Sequence, residues 1–190
     1  MEFTKKMQKL MARAVGLAQE EHHRYFMPEH MVYGLTYDED FRKEYEAGGG
    51  KTGRLRSDLL GFLREQAGRA AEEAGPQVTL DAERVFRMAA DQAESSSREE
   101  VEVSHLLAAL MQLEDSYGLY YMTIQNVDLV EVLGEMSRES LIRERRQDLP
   151  DGEEEAEKQE GEESPRYKNF LENMTETCEK QNPLIGREEE

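Results

Sequence analysis

Cysteine is nearly missing from this sequence, tryptophan is missing altogether, and only five prolines interrupt 190 residues. The single cysteine, Cys178, excludes an intramolecular disulfide and a cysteine-built metal cluster. Basic residues are scarce as well: 24 Lys and Arg face 42 Asp and Glu, a formal net charge of −18. Neutralising nucleic-acid phosphates or adhering to an anionic membrane requires clustered Lys and Arg, so this balance argues against both. No apolar run approaches the length of a membrane span, and the N-terminal MEFTKKMQKL lacks the apolar centre of a secretory signal. A soluble cytoplasmic protein is the expectation.

The acidity is concentrated. Asp148 to Glu163, DLPDGEEEAEKQEGEE, holds nine acids against one lysine and almost nothing apolar. Such a stretch cannot bury enough surface to offset its ordering entropy, and its like charges favour extension. It divides the chain into a body (1–145), an acidic flexible linker (146–164) and a short C-terminal piece (165–190).

Glycine is sparse except in EYEAGGGKTG, residues 44–53. A phosphate-binding loop needs G-x-x-x-x-G-K-[ST], in which backbone N–H groups wrap the phosphates before the lysine reaches them. Gly50, Lys51 and Thr52 fit that pattern, but Tyr45 stands where the first glycine belongs. The preceding stretch is charged and helical in spacing rather than a strand.

Elsewhere the apolar residues recur at helical intervals. Met7, Leu10, Met11, Ala14, Val15 and Ala18 form one stripe of a first helix. Pro28 suits the first turn of a second, Asp38 the N-cap of a third bearing Phe41 and Tyr45, and Leu55, Leu59, Leu60 and Leu63 line a fourth. After Gly75-Pro76 the pattern restarts, with Thr79 capping a fifth helix, followed by segments beginning at Val103, Tyr117 and Leu129. An offset of 75 residues lays Ala14 on Ala89, His30 on His105, Leu35 on Leu110 and Tyr45 on Tyr120, and one residue fewer lays Leu59 on Leu133. The body reads as two copies of a four-helix unit. In the second copy the place of GGGKTG falls to Thr123-Ile124-Gln125-Asn126, so the glycine run reads as a helix-to-helix joint and Lys51 as a solvated charge.

ARAVGLAQEEHHRYFMPEHM and its counterpart beginning VTLDAERVFRMAADQAESSS resemble the N-terminal domain of Clp-type AAA+ unfoldases, most of all the ClpA-like members. Met27-Pro28-Glu29-His30 is similar to the family's Thr-x-Glu-His turn, with Met27-Pro28 in place of the threonine and Ser104 in place of the second glutamate. Asn182-Pro183-Leu184-Ile185-Gly186-Arg187-Glu188 resembles the phrase that opens the family's first ATPase module, with Asn182 for the usual aspartate. The resemblance implies an all-α fold: two tandem four-helix Clp repeats forming one pseudo-twofold domain, then the disordered linker and a short helix over 166–178. It also implies an adaptor- and substrate-docking domain of a protein that unfolds substrates and delivers them to ClpP. Walker motifs are absent from these 190 residues, so the chain itself is expected to be no enzyme and to hold no cofactor, with ATP and Mg belonging to the parent's ATPase modules.

By the same resemblance the partner is a ClpS-type adaptor, docking near the end of the first helix and the start of the fifth. The residues implied are His23, Glu29, Thr79 and Arg84, with Arg24 where the family often has an acid. Each can also be read as an ordinary cap or surface charge. His22 and His23 are adjacent and point about 100° apart on a helix, which disfavours a shared metal, although His23 and Glu29 could meet across the turn. His30 and His105 each open a helix and are expected to satisfy a local hydrogen bond. The methionines are expected mainly in the core, with one or two in a recognition groove. The competing reading is a stand-alone Clp-repeat protein that regulates a protease without an ATPase module. In either case the isolated chain is expected to be monomeric.

Overall fold

The structure, a computed structural model, describes residues 2–70 and 75–147. The remainder of the expected linker and the C-terminal piece with its PLIGRE phrase lie outside the described residues. Among those described, eight helices occupy the places that the apolar spacing predicts: α1 (Lys5–Glu20), α2 (Pro28–Leu35), α3 (Glu39–Ala47), α4 (Thr52–Gln66), α5 (Leu80–Ser95), α6 (Val103–Met111), α7 (Tyr117–Thr123) and α8 (Leu129–Gln147). The helix α8 runs into the first residues assigned to the linker.

Local chemistry starts these helices where the sequence does. Thr4 and Thr79 accept the backbone N–H of Met7 and Ala82, and Asp38 accepts that of Phe41. Histidine does the corresponding work at α2 and α6. The Met27 N–H donates to His30 Nδ1 and the Glu102 N–H to His105 Nδ1, both at 3.0 Å. The matching histidines thus share one local role, a reach back from the third helical position to the N-cap backbone.

Among the described residues four two-residue strands join the repeats, and sequence periodicity gave no sign of them. β1 (Glu2–Phe3) pairs in parallel with β4 (Glu100–Val101), and β2 (Tyr25–Phe26) with β3 (Gln77–Val78). Each pairing takes one strand from each copy, so the repeats are interleaved rather than set side by side. Met7, Met11, Ala14, Val15 and Ala18 of α1 are fully buried, in one cluster with Phe26, Met31, Phe41, Tyr45 and Phe86. Burying a large apolar side chain stabilises by roughly 1.5–3 kcal/mol.

The structure corrects the repeat register beyond Leu110. Tyr45 is fully buried whereas Tyr120 is 56% exposed, so the two are not equivalent. Equivalent positions are instead 77 apart: buried Phe41 and Tyr45 correspond to Gly118 and Met122, and left-handed Gly49 to left-handed Asn126. The connection from α6 to α7, Gln112 to Ser116, is two residues longer than its counterpart Thr36 to Asp38. The Tyr45 hydroxyl donates 2.8 Å to the carbonyl of Met122, its own counterpart, tying the copies together in the core.

The glycine run is a joint in this core. A Cβ on Gly50 would lie 2.3 Å from the Tyr45 ring and 2.8 Å from Val127, and Gly49 has φ 89°. The Lys51 N–H, which a phosphate would need, donates to Gln125 Oε1 at 2.9 Å, and the Thr52 hydroxyl donates to Glu46. The first contact joins the two repeats, and the second closes the joint within the first repeat.

Candidate functional site

Pro28 at the first turn of α2 places Glu29 one residue further on, where the chain turns inward. The Glu29 side chain crosses to the start of α7, where Oε1 accepts the Gly118 N–H at 3.1 Å and the Ser116 hydroxyl at 3.3 Å. Ser116 itself caps α7 by accepting the same Gly118 N–H at 3.0 Å. Glu29 is only 3% exposed, yet its Oε2 is buried with no hydrogen-bond partner. Burial raises its pKa above the ordinary carboxylate value and the nearby Asp81 adds to that, against hydrogen bonds from the α2 backbone, Gly118 and Ser116.

Glu29 lines a cleft of about 650 Å³ between the start of α2, the start of α5 and the loop into α7. Thr79, Asp81 and Arg84 form one wall, and Gln112 to Tyr117 the other. Acids predominate: Glu29, Asp81, Glu114 and Asp115 face Arg84 as the one cation among the described lining residues. Three of the five residues implied by the family resemblance, Glu29, Thr79 and Arg84, therefore meet in one cleft. The Thr79 hydroxyl is already engaged, donating to the Phe26 carbonyl at 3.1 Å while capping α5.

His23 and Arg24 are placed elsewhere. The Arg24 guanidinium lies 5.2 Å from the Tyr25 ring centre, and neither residue lines the cleft. His23 is 3% exposed and does not meet Glu29; its Nδ1 lies 3.0 Å from His30 Nε2, and its own Nε2 is buried without a partner. The apolar surroundings and the short chain path through β2 bring the two histidines together while Glu29 turns to α7. No group of three or more His, Cys, Asp or Glu able to hold a metal occurs among the described residues.

A second cleft, of about 580 Å³, is the pseudo-twofold twin of the first. Its lining Thr4, Lys6, Glu102, Val103 and Ser104 correspond at an offset of 75 to Thr79, Asp81, Met27, Pro28 and Glu29. Its charges are more evenly mixed: Asp40 is bound by Lys6 at 2.6 Å and by Arg143 at 2.5 Å, Arg98 lies 3.7 Å from Glu102, and Ser140 donates to Glu102. Ser104 occupies the place of Glu29, so the twins differ in the one buried carboxylate.

A family model described as the Clp repeat (R) N-terminal domain matches residues 2–125. The chain belongs to that family. The matched residues take in both repeats as far as the end of α7. Its fold is similar to the N-terminal domain of Hsp104 from Candida albicans, with 14% identity, 74% of this chain and 92% of that chain covered, and a TM-score of 0.64. It is also similar to the N-terminal domain of the chaperone ClpD from Arabidopsis thaliana, at 12% identity, 73% and 97% coverage and a TM-score of 0.58. The N-terminal domain of the ClpV1 ATPase from the E. coli EAEC Sci1 system matches at 18% identity, 74% and 85% coverage and a TM-score of 0.54. At such identities the likeness establishes the Clp repeat fold.

Residues that sequence reasoning missed are Asp81, Asp115, Ser116 and Gly118. Asp81 was within reach, since it stands two residues after Thr79 at the start of the fifth helix to which the resemblance points. Nothing in the sequence links Glu29 to Ser116 and Gly118, which stand 87 and 89 positions away.

Proposed function

We propose that this chain is the adaptor- and substrate-docking domain of a ClpA-like ATP-dependent unfoldase, and that partners dock in the Glu29 cleft. The observation that carries the reading is the free Oε2 of a buried carboxylate lining an acidic cleft. An unmade hydrogen bond of this kind costs roughly 1–3 kcal/mol, and a lysine or arginine from a partner would supply the missing donor. Arg84 gives the same cleft a contact for a partner acid, which fixes orientation. The partner is a ClpS-type adaptor, and delivery to ClpP, with its ATP and magnesium chemistry, belongs to the ATPase modules of the parent protein.

Calorimetric titration of the full chain with a ClpS-type adaptor tests this. Glu29→Gln and Arg84→Glu should each weaken binding by about tenfold or more. Thr79→Ala is a poor probe, because it removes the α5 cap whether or not Thr79 touches a partner. A folded chain that binds equally well with Glu29→Gln would remove the cleft from the reading.

A further inference from the structure

The two repeats close equivalent seams with opposite chemistry. Where α8 meets α3, Lys43 bonds Glu139 and Glu44, and Arg143 bonds Asp40 at 2.5 Å and Glu139 at 3.4 Å. Seventy-seven positions away lie the counterparts: Asp40 becomes Tyr117, Lys43 becomes Tyr120, Glu44 becomes Tyr121, and Phe62 takes the place of Glu139. In the α4–α7 seam the Phe62 ring lies 4.6 Å from Tyr117 and 5.9 Å from Tyr121, and Tyr121 lies 5.3 Å from Tyr120. A charged surface seam in one repeat is an aromatic one in the other.

Closing the seam does not account for this. Tyr117 and Tyr120 remain 56% exposed after their ring contacts, and the twin closes the corresponding surface positions with ion pairs. Leu80 follows the same rule: at 82% exposed it begins α5 beside the cleft, where α1 begins with Lys5. Exposed tyrosines, large and amphipathic, are characteristic of interfaces.

We propose that this aromatic face is continuous with the Glu29 cleft, and that together they dock a partner segment carrying a lysine or arginine followed by a bulky apolar side chain. Tyr117 joins the two parts, since it both lines the cleft and packs at a tilt on the Phe62 ring. The basic residue enters the cleft toward the free Glu29 oxygen, and the apolar one covers Tyr117 and Tyr120. Charge argues for a basic partner over the whole length. The carboxylates of Asp58 and Glu65 lie close enough to Tyr121 to help burial raise its phenol pKa, and a cation near tyrosine faces gains from their quadrupole.

The inference rests on the cleft reading, and one experiment separates the two. Dye-labelled peptides with an arginine and a phenylalanine joined by glycine spacers of graded length are titrated into the full chain by fluorescence anisotropy. Controls replace the arginine by glutamate or the phenylalanine by alanine. One spacer length should bind saturably, and Tyr117→Ala should weaken it by about tenfold. The phenylalanine-to-alanine peptide should then lose nothing further on the Tyr117→Ala chain, the signature of a direct contact. Tyr120→Ala, at a more peripheral ring, provides a second variant, and a cooperative melt verifies that each variant is folded. Binding that needs Glu29 but ignores both tyrosine substitutions overturns the aromatic extension and leaves the cleft. Binding that needs the tyrosines but is unchanged in Glu29→Gln overturns the cleft and the two-part surface with it. No binding of any peptide overturns both.

Discussion

His30 Nε2 lies 3.0 Å from His23 Nδ1 inside the domain, and the neighbouring backbone decides which nitrogen carries the proton. The Met27 N–H occupies His30 Nδ1, so a neutral His30 is protonated on Nε2 and donates to His23 Nδ1. Protonating His30 would set two donors against each other at Met27. Burial, with the neighbouring His23 charge, pushes the His30 pKa down to about 3, and burial lowers His23 as well, with Glu21 opposing and Arg64 assisting.

Acid should therefore weaken the fold through this pair. Both folded pKa values lie below the ordinary 6.5, so the contribution is whole above that pH and is lost as pH falls from 6.5 toward 3. The loss is up to about 1.4 kcal/mol per pH unit for each histidine. His30→Gln keeps an acceptor for the Met27 N–H and removes one titration. Urea unfolding from pH 7 to pH 5 should show wild type losing stability relative to this variant, and a constant difference would refute the assignment.

Glu29 has the opposite sign. Its folded pKa is raised above 4.5, so its contribution is present below that pH and is lost as pH rises through the folded value. At neutral pH the charge is a burden on the fold. Glu29→Gln should raise stability at pH 7 by on the order of 1 kcal/mol, with the gain shrinking at pH 4, as read from thermal melts. Greater stability with weaker partner binding would mark a residue kept for recognition.

The glycine joint makes a paired prediction. Gly50→Ala puts a methyl group 2.3 Å from the buried Tyr45 ring and should destabilise by about 2 kcal/mol or more. Gly53→Ala, in open space within α4, should stabilise by about 0.5–1 kcal/mol. Equal effects at both positions would contradict the packing account of GGGKTG.

The core bond across the repeats is tested by Tyr45→Phe. Losing the hydroxyl that reaches the Met122 carbonyl should cost about 1 kcal/mol in denaturant unfolding, since the ring itself stays packed. No loss would mean that the bond ties nothing.

The helices and the repeat were legible because Met7-Leu10-Met11-Ala14 and its kin state a period of 3.6, and because Ala14 and Ala89, His30 and His105, and Leu35 and Leu110 recur at one offset. The strands were not, since two residues hold no period. Register failed after Leu110 because a loop longer by two residues leaves Tyr120 aligned by type with Tyr45 while its surroundings differ. Of the site, the resemblance led to Glu29, Thr79 and Arg84, which share a cleft. The resemblance also pointed to His23, whose burial was not legible because nothing local reveals that a folded β2 turns it onto His30. The direction of the Glu29 side chain depends on α7, far along the chain.

The most direct measurement is the titration of the Glu29 carboxyl itself, followed by carbon NMR in the full chain, first alone and then saturated with a ClpS-type adaptor. The account predicts a pKa above the ordinary glutamate value in the free chain that falls when the adaptor binds, because a basic partner side chain stabilises the carboxylate. An adaptor that binds and leaves that titration where it was would contradict the claim that the cleft is the docking site.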